Sequence, residues 1–380
     1  MKFDESLLYN IKSDYQGIRY SLFDLAIWKN GLAFKKINFS DRGLPVIKIA
    51  ELNNGISSNT SLTQGDYGKE VFVQWDDLLF SWSGNPQTSI DVFRYRLPDG
   101  WLNQHIFKVT ANSNLVTKDF LYYTLKYLKP YFKQIATNKQ TTGLGHVTIA
   151  DLKRMSVVIP QKEIQEQITS ILKAIDDKIE VNSNINENLE QQAQAIYCDM
   201  FITNANPSWQ LGRLSDLIAV RYGKNHKKLA DGIYPVYGSG GIMRYAEKPL
   251  YDKESVLIPR KGTLNNVMYV NKPFWSVDTM FFTEMKLPNV AKFVFHFVKS
   301  KDLASLNAGS AVPSMTTDIL NAMELSIPDA NTLCKFENIV APMYQAMQQN
   351  TQQSSKLAEL RDSLLPRLMS GEIDVTDIQI

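Results

Sequence analysis

Two stretches of the chain carry apolar residues at the seven-residue spacing of a coiled-coil seam. After Pro160, the two rows of this spacing contain Ile168, Ile175, Asn182, Leu189 and Ile196, with Ile171 and Ile185 between them. After Pro328, the same register gives Phe336, Met343, Asn350, Leu357 and Leu364, with Ile339 and Leu360 between them. Heptad spacing predicts two long helices, each of roughly 40 residues and about 60 Å, that pack along these rows.

Asn182 and Asn350 interrupt the apolar row at the same place in the two helices. A polar residue in such a row costs stability but fixes the alignment of the helices. Alternatively, either asparagine faces solvent where the helix pair splays. The sequence leaves both interpretations open.

Outside the heptads, short apolar runs alternate with turn signals such as Asn53-Asn54-Gly55 and Pro98-Asp99-Gly100. These runs predict strands at residues 44–49, 71–75, 78–82 and 105–109, and again at 234–237, 255–258, 267–270 and 280–283. One amphipathic helix is predicted in each block, at 119–135 and at 290–300. Each block is therefore predicted to be α+β, a small twisted sheet with a few packed helices.

The two halves repeat each other. An offset of 168 residues pairs Thr148 with Thr316, Ile159 with Ile327, Ile171 with Ile339, Asn182 with Asn350 and Leu189 with Leu357. Further upstream, an offset of 192 pairs Leu22, Asp24, Leu25, Gly31, Lys35 and Lys36 with Leu214, Asp216, Leu217, Gly223, Lys227 and Lys228. The repeat predicts a globular domain followed by a long helix, twice over. The predicted segments are an N-terminal arm (1–19), a first domain (20–160), a central helix (161–206), a second domain (207–328) and a distal helix with its tail (329–380).

Charge follows this division, although the net charge of the chain is only +2. Basic residues exceed acidic ones by five in each globular segment, whereas the central and distal helices carry net charges of −5 and −3. Positive charge confined to two modules suits contact with phosphates at two places. Two copies of one module related by a pseudo-twofold can align with the local symmetry of a DNA duplex, and that symmetry predicts antiparallel helices.

Several classes of function lack their signatures. No signal peptide and no apolar run of about 18 residues is present, so we expect a cytoplasmic protein. Cys198 and Cys334 do not superpose in the repeat, and the four histidines lack metal-ligand spacing. No Walker motif, methyltransferase Asn-Pro-Pro-aromatic loop or glycine-rich cofactor turn occurs, so no catalysis and no cofactor or metal site is expected in this chain.

Four segments resemble the specificity subunit of type I restriction-modification systems. QQAQAIYCDMF (191–201) and LLPRLMSGEID (364–374) look like the helix ends of that family. HVTIADLKRMSVVIP (146–160) and SMTTDILNAMELSIP (314–328) resemble the strand that closes each of its target-recognition domains. The order of the segments matches the family over nearly the whole chain, apart from residues 1–19.

This resemblance implies a noncatalytic subunit that reads a bipartite, asymmetric double-stranded DNA target, with one half-site per domain. It further implies that the subunit holds two modification (methyltransferase) subunits, which restriction subunits join to form an adenine-specific methyltransferase and type I endonuclease complex. S-adenosylmethionine, ATP and Mg²⁺ would then be used by those partners. The alternatives are a stand-alone two-headed DNA-binding adaptor or regulator and a structural coiled-coil protein.

Candidate DNA contacts are basic, amide and hydroxyl side chains in the divergent loops, because such groups contact phosphates and base edges. In the first domain they are Lys35, Lys36, Trp82, Ser83, Asn85, Gln87, Arg94, Arg96, Lys139, Gln140, Thr141 and Thr142. In the second they are Lys224, Asn225, Lys227, Lys228, Arg244, Arg260, Lys261, Thr263, Asn265, Asn266, Ser310 and Ser314. The matched lysines are predicted to hold phosphates and the unmatched residues to read bases, although Trp82 also suits a core position.

Overall fold

A computed structural model describes residues 9, 11, 13–57, 59–140, 143–306 and 314–375. The chain divides into two compact units. The first comprises the described residues up to Glu180 and those from Gln353 onward, and the second comprises Val181–Gln352. Each unit thus contains one globular region and parts of both long helices.

The first unit contains twelve strands among its described residues. They are β1 (Gly17–Ser21), β2 (Ala26–Asn30), β3 (Leu44–Ile47), β4 (Leu62–Thr63), β5 (Phe72–Val73), β6 (Leu78–Ser81), β7 (Ser83–Gly84), β8 (Asp91–Arg94), β9 (Gly100–Leu102), β10 (Ile106–Ala111), β11 (Gly145–His146) and β12 (Ser156–Pro160). Its short helices are α1 (Ile49–Asn54), α2 (Lys118–Tyr127), α3 (Lys129–Asn138) and α4 (Ile149–Arg154). The long helix α5 (Lys162–Cys198) follows and ends in a π-helical turn, Asp199–Thr203.

The second unit has nine strands and three short helices among its described residues. The strands are β13 (Gln210–Arg213), β14 (Ile218–Tyr222), β15 (Asp231–Gly238), β16 (Gly241–Ala246), β17 (Ser255–Pro259), β18 (Met268–Val270), β19 (Trp275–Ser276), β20 (Met280–Met285) and β21 (Glu324–Ile327). The helices are α6 (Leu214–Leu217), α7 (Ala291–Lys299) and α8 (Thr317–Asn321), and the second long helix is α9 (Ala330–Ser370).

The two units have the same sheet topology. The main sheet runs β2-β10-β6-β8 in the first unit and β14-β20-β17-β18 in the second. A separate antiparallel pair joins the entry and exit of each globular region, β1 with β12 and β13 with β21. A third sheet in each unit contains one parallel pair, β3 with β9 and β15 with β19. The predicted α+β duplication is confirmed strand by strand.

The matched residues of the repeat occupy structural positions. Leu22, Leu25, Leu214 and Leu217 are fully buried. The equivalent threonines Thr148 and Thr316 are the N-cap residues of α4 and α8. Hydroxyl groups at an N-cap accept hydrogen bonds from the otherwise unpaired amides of the first turn, which explains why both copies keep threonine.

Three predicted elements differ from the structure. The predicted helix 119–135 is two helices, α2 and α3, because Pro130 near the start of α3 lacks the amide that a continuing helix needs. The predicted strand 44–49 ends at Ile47, and Ile49 begins α1. The closing segments 146–160 and 314–328 are not single strands, since the capped helices α4 and α8 interrupt them.

Each globular region buries apolar side chains against both long helices. In the first unit, Phe120 and Phe132 share a core with Ile168 and Leu172 of α5 and with Leu368 of α9. In the second unit, Phe281 and Phe293 share a core with Tyr197 of α5 and with Phe336 and Tyr344 of α9. The helix ends therefore complete the core of each globular region.

Polar groups at these contacts are paired. In the first unit, the Tyr123 hydroxyl and the Arg361 guanidinium both donate to Asp176, each at 2.8 Å. In the second, the buried His296 ring bonds the Gln194 carboxamide oxygen (2.7 Å) and the Tyr344 hydroxyl (2.9 Å). Burial lowers the pKa of His296 to about 3, so this histidine stays neutral at physiological pH.

Within the second unit, α5 and α9 run antiparallel. The Asn182 amide donates to the carbonyl of Asn350 (3.5 Å), whereas Asn186, one turn later in α5, donates to the carbonyl of Met347, earlier in α9 (3.2 Å). Asn350 in turn donates to Asn186 Oδ1 at 2.9 Å. Asn182 is fully buried, so the solvent-facing alternative does not apply to it, and its role in fixing the register stays a prediction.

The predicted seam is only partly covered. Buried members are Ile168, Ile175, Asn182 and Phe336. Half-buried members are Ile171, Leu189, Ile196, Met343, Asn350, Leu357 and Leu364. Ile185, Ile339 and Leu360 are 41–47% exposed. A pair of helices covers only one side of each helix, so part of a broad apolar stripe stays uncovered.

The conserved topology requires glycine at two equivalent positions, which gives a stability prediction. A Cβ at Gly223 would lie 2.0 Å from the Val277 carbonyl oxygen, and one at Gly31 would lie 2.2 Å from that of Asn103. Gly223→Ala should lower the free energy of unfolding by about 3 kcal/mol, because backbone atoms must shift to accept the methyl group. Urea denaturation measures this difference.

Gly240→Ala is the matched control, since nothing lies within 4 Å of a Cβ there. A Gly223→Ala variant as stable as Gly240→Ala would show that the close approach is wrong.

Candidate nucleic-acid interface

Exposed basic residues of the second unit cluster in the loop after β14. Lys224, Asn225, Lys227 and Lys228 are all exposed. The Asn225 side-chain oxygen accepts the Lys227 amide at 2.9 Å, and the Trp275 indole donates to the Lys224 carbonyl at 2.8 Å. The loop is therefore held by local turn chemistry and by a buried tryptophan, while its three lysine ammonium groups reach solvent.

Other loops of the second unit meet this one. Their backbone hydrogen bonds are Lys224 N to Ser276 O (2.8 Å), Val277 N to Tyr237 O (3.0 Å), Arg260 N to Thr279 O (2.9 Å) and Met315 N to Arg260 O (2.9 Å). The segments around residues 224, 238, 260, 277 and 315 therefore lie at one end of the unit. Most of the predicted contacts of the second domain fall on these segments.

Two predicted base readers in this region already have structural partners. Asn265 bonds the Asp302 carboxylate (2.9 Å) and the Ala304 amide (3.0 Å) through its two side-chain atoms. Asn266 donates to the Ser239 carbonyl at 2.8 Å and so holds the β15–β16 turn. Thr263 is exposed between them and Lys261. The roles of Asn265 and Asn266 in DNA contact stay predictions, but both side chains stabilise loops.

Arg244 and Ser314 differ in their surroundings. Arg244 donates to the Leu229 carbonyl (2.9 Å) and to Asp231 (2.8 Å), which ties β16 to the lysine loop. Ser314 forms an isolated antiparallel bridge with Lys261, next to Arg260. Ser310 lies outside the described residues.

In the first unit, Lys35 and Lys36 are exposed at a short 3₁₀ turn, Lys36–Asn38. The Asn38 side chain caps this turn by accepting the Lys35 amide at 2.8 Å. Asn85 and Gln87 are exposed in the turn after β7, where the Asn85 side chain accepts the Gln87 amide at 2.9 Å. All four side chains are placed to contact a ligand from solvent.

Trp82 and Ser83 lie at the end of β6. Trp82 is half-buried, stacks on Phe107 with ring centroids 5.5 Å apart, and donates through its indole to Asn30 Oδ1 at 2.9 Å. Ser83 is buried and bonds the His146 ring at 2.9 Å. Trp82 thus serves the core on one side while its indole edge belongs to a polar cluster.

Arg94 and Arg96 lie at the opposite end of β6. Arg94 pairs with Leu78 at the start of that strand, about 13 Å from Trp82 at the rise of an extended chain. Arg94 forms ion pairs with Asp76 and Asp119, and Arg96 with Asp76 and with Glu180 of α5. Since carboxylates already neutralise both guanidinium groups, their predicted DNA contact has the least structural support.

Lys139 is exposed but bonded to Asp151 at the N-terminus of α4. Thr148 donates to the same carboxylate through its amide and its hydroxyl, each at 2.7 Å. Burial by itself would raise the pKa of Asp151, but the Lys139 ammonium and the Thr148 hydrogen bonds outweigh it and lower the pKa. Gln140 is exposed beside Lys139, and Thr141 and Thr142 lie outside the described residues.

Sequence reasoning did not select Asn30, His146 or Tyr222, which border the predicted residues. Asn30 and His146 contact Trp82 and Ser83, and the Arg260 guanidinium lies over the Tyr222 ring, 5.5 Å from its centroid. The repeat contained the necessary signal. Asn30 and Tyr222 precede the matched Gly31 and Gly223, and His146 aligns with Ser314.

Across the described ranges, no group of three or more His, Cys, Asp or Glu side chains is placed to hold a metal ion. None of the described helices is both long and apolar enough to span a membrane. Convergent loops that carry lysine, arginine, amide and hydroxyl groups remain as the candidate site of each unit, and this chemistry suits a polyanion with hydrogen-bonding edges.

Comparison with known proteins agrees with this surface. The family model for the type I restriction modification DNA specificity domain matches residues 19–191 and 206–353. These two matches cover most of the chain, one in each half. The chain therefore belongs to the type I restriction-modification specificity subunits, which confirms the predicted family.

The chain is similar to individual members of this family. It is 22% identical to the type I restriction enzyme HindI specificity subunit of Haemophilus influenzae, over 74% of this chain and 84% of that protein. It is 24% identical to the MjaIX specificity subunit of Methanocaldococcus jannaschii, over 74% of this chain and 77% of that protein. A crystal structure of the type I restriction-modification S subunit from M. genitalium has the same fold (TM-score 0.53, 17% identity, 95% and 98% of the two chains).

The lowered pKa of Asp151 predicts a pH-dependent contribution to stability. Its ionised form is favoured in the folded state, so the contribution is complete above the unfolded pKa of about 3.9 and is lost as the pH falls through the lower folded pKa. Asp151→Asn should lower the free energy of unfolding by about 2 kcal/mol at pH 7, and the difference from the parent should shrink below about pH 3. Denaturation curves measured across this pH range test the prediction.

Asp41→Asn, at an exposed position of the same unit, serves as the control. A difference for Asp151→Asn that does not change with pH would rule out the ion pair as its source.

Loss of a single phosphate contact should be visible in the salt dependence of DNA binding. Lys227→Ala should weaken binding to every duplex and should reduce the slope of log K against log salt concentration by about one. Filter binding over a range of salt concentrations measures the slope.

Lys356→Ala removes an exposed lysine of α9 and should leave the slope unchanged. Equal slopes for Lys227→Ala and the parent would remove Lys227 from the interface.

Proposed function

We propose that this chain is the DNA-reading subunit of a type I restriction-modification enzyme and that it reads a bipartite, asymmetric target. The observation that carries the proposal is the duplicated sheet topology, with converging loops at one end of each unit and different side chains on those loops. Two copies of one scaffold with different reading groups suit two different half-sites.

The matched and unmatched residues divide the work of binding. Lys35 and Lys36 correspond to Lys227 and Lys228, and all four are exposed. Both half-sites share the phosphate backbone, so matched lysines suit phosphate contacts that position each unit on the duplex. Unmatched groups such as Gln87 suit direct readout, because only base edges differ between half-sites.

The proposal includes partner subunits. In it, the chain is noncatalytic and holds two methyltransferase subunits, which use S-adenosylmethionine, while restriction subunits use ATP and Mg²⁺. The exposed apolar residues Ile185, Ile339 and Leu360 on the long helices support a scaffold role, because exposed apolar side chains are suited to contacts with other proteins. The segment boundaries 1–19, 20–160, 161–206, 207–328 and 329–380 are part of this proposal.

Co-purification tests the assembly. The tagged full-length chain, co-expressed with the methyltransferase subunit of its own system, should purify with two copies of that subunit, as counted by native mass spectrometry. The purified complex should transfer methyl groups to adenine in duplex DNA. Ile185→Asp combined with Ile339→Asp should reduce the amount of bound partner, since a buried carboxylate is costly at an apolar contact.

Glu359→Asp provides a matched control at an exposed acidic position on α9. A chain that binds duplex DNA specifically but purifies alone would instead be a stand-alone adaptor, and the proposed assembly would be wrong.

A further inference from the structure

The candidate loops of the two units contain a corner that is equivalent hydrogen bond by hydrogen bond. In the first unit, the Gly31 amide donates to Ile106 (3.0 Å) and the Val147 amide donates to Trp82 (2.9 Å). In the second, Gly223 donates to Met280 (3.0 Å) and Met315 donates to Arg260 (2.9 Å). Trp82 and Arg260 therefore occupy the same position in the two units.

The next residues follow the same correspondence. Ser83 pairs with His146 across β7 and β11, and Lys261 pairs with Ser314 in the equivalent bridge. Gly84 and Gly262 come next, both with positive φ (136° and 85°), a conformation that favours glycine. We call Asn30, Trp82, Ser83 and His146 the first corner, and Tyr222, Arg260, Lys261 and Ser314 the second corner.

Equivalent side chains touch in both corners but differ in chemistry. Trp82 donates its indole N–H to Asn30 (2.9 Å), whereas Arg260 lies over the ring of Tyr222 (5.5 Å). Asn30 and Tyr222 hold equivalent positions, each immediately before the matched glycine. The second corner carries two permanent positive charges, and the first carries none.

The hydrogen-bonding capacity of each corner follows from these contacts. One Arg260 terminal nitrogen donates to the Asp278 carbonyl at 3.1 Å, which orients the guanidinium and leaves its other donors for a ligand. In the first corner, the Asn30 oxygen and the His146 Nδ1 are engaged by Trp82 and Ser83. The Asn30 amino group and the His146 Nε2 remain for a ligand there.

We infer that the two corners are equivalent base-reading sites, in which Arg260 selects a guanine in one half-site and Asn30 with His146 selects a different base in the other. The inference rests on the proposed DNA-reading function. An oriented guanidinium matches the O6 and N7 acceptors of guanine in the major groove. A shared backbone frame with exchanged side chains lets one docking geometry read two sequences.

Selection from a randomised duplex library by the immobilised full-length chain tests this inference. Arg260→Lys keeps the charge but loses the planar pair of donors, so it should lose about tenfold or more of the preference for guanine at one position. The salt dependence and the other half-site should be unchanged. His146→Ala and Trp82→Phe should each change the base preference only in the half-site that Arg260→Lys leaves intact.

Arg221→Lys is the matched control. Arg221 neighbours Tyr222 on β14 but forms an ion pair with Glu284 at 2.9 Å, and successive side chains of a strand point to opposite faces. Its selected sequences should equal those of the parent chain. Thermal unfolding of each variant establishes that the fold is retained, and Trp82→Phe preserves an aromatic ring against Phe107.

Two failures are distinguishable. If the parent chain selects two half-sites and Arg260→Lys retains the same guanine preference, the corner inference is wrong and the proposed function stands. If the parent selects no sequence while binding DNA, the proposed function is wrong, and the corner inference with it.

Discussion

Burial of apolar side chains between each globular region and the ends of both long helices is the interaction on which the rest of the structure depends. Phe120 and Phe132 in the first unit and Phe293 in the second reach into cores that include residues of α5 and α9. Burying side chains of this size stabilises a fold by about 1.5–3 kcal/mol each. The loops at the end of each sheet therefore project from a rigid base instead of a mobile one.

The anchoring is specified differently in the two units. Asp176, bonded to Tyr123 and Arg361, has its equivalent 168 residues later in Tyr344, which bonds His296. A charged cluster in one unit thus corresponds to a neutral aromatic one in the other. The scaffold tolerates this exchange because each polar group remains paired, and an unpaired buried group is what carries the large cost. Core contacts could diverge while the topology was retained.

Much of the fold was predictable from the sequence, because its signals are periodic or local. The heptads predicted α5 and α9, and alternating apolar runs predicted the main strands of each unit. The break at Pro130 and the capped helices α4 and α8 were missed, since a short capped turn inside an apolar run has no periodicity of its own. The sites were less predictable. Trp82 and Arg260 are 178 residues apart, between the offsets 192 and 168, so only backbone hydrogen bonds reveal their equivalence.

The central claim is that one duplicated scaffold reads two different half-sites of one DNA target. Methylome sequencing of cells that express this chain together with its methyltransferase tests it most directly. The account predicts methylated adenines in a target of two different short sequences separated by a fixed number of unspecified bases. A single uninterrupted target, or two identical half-sites, would contradict it.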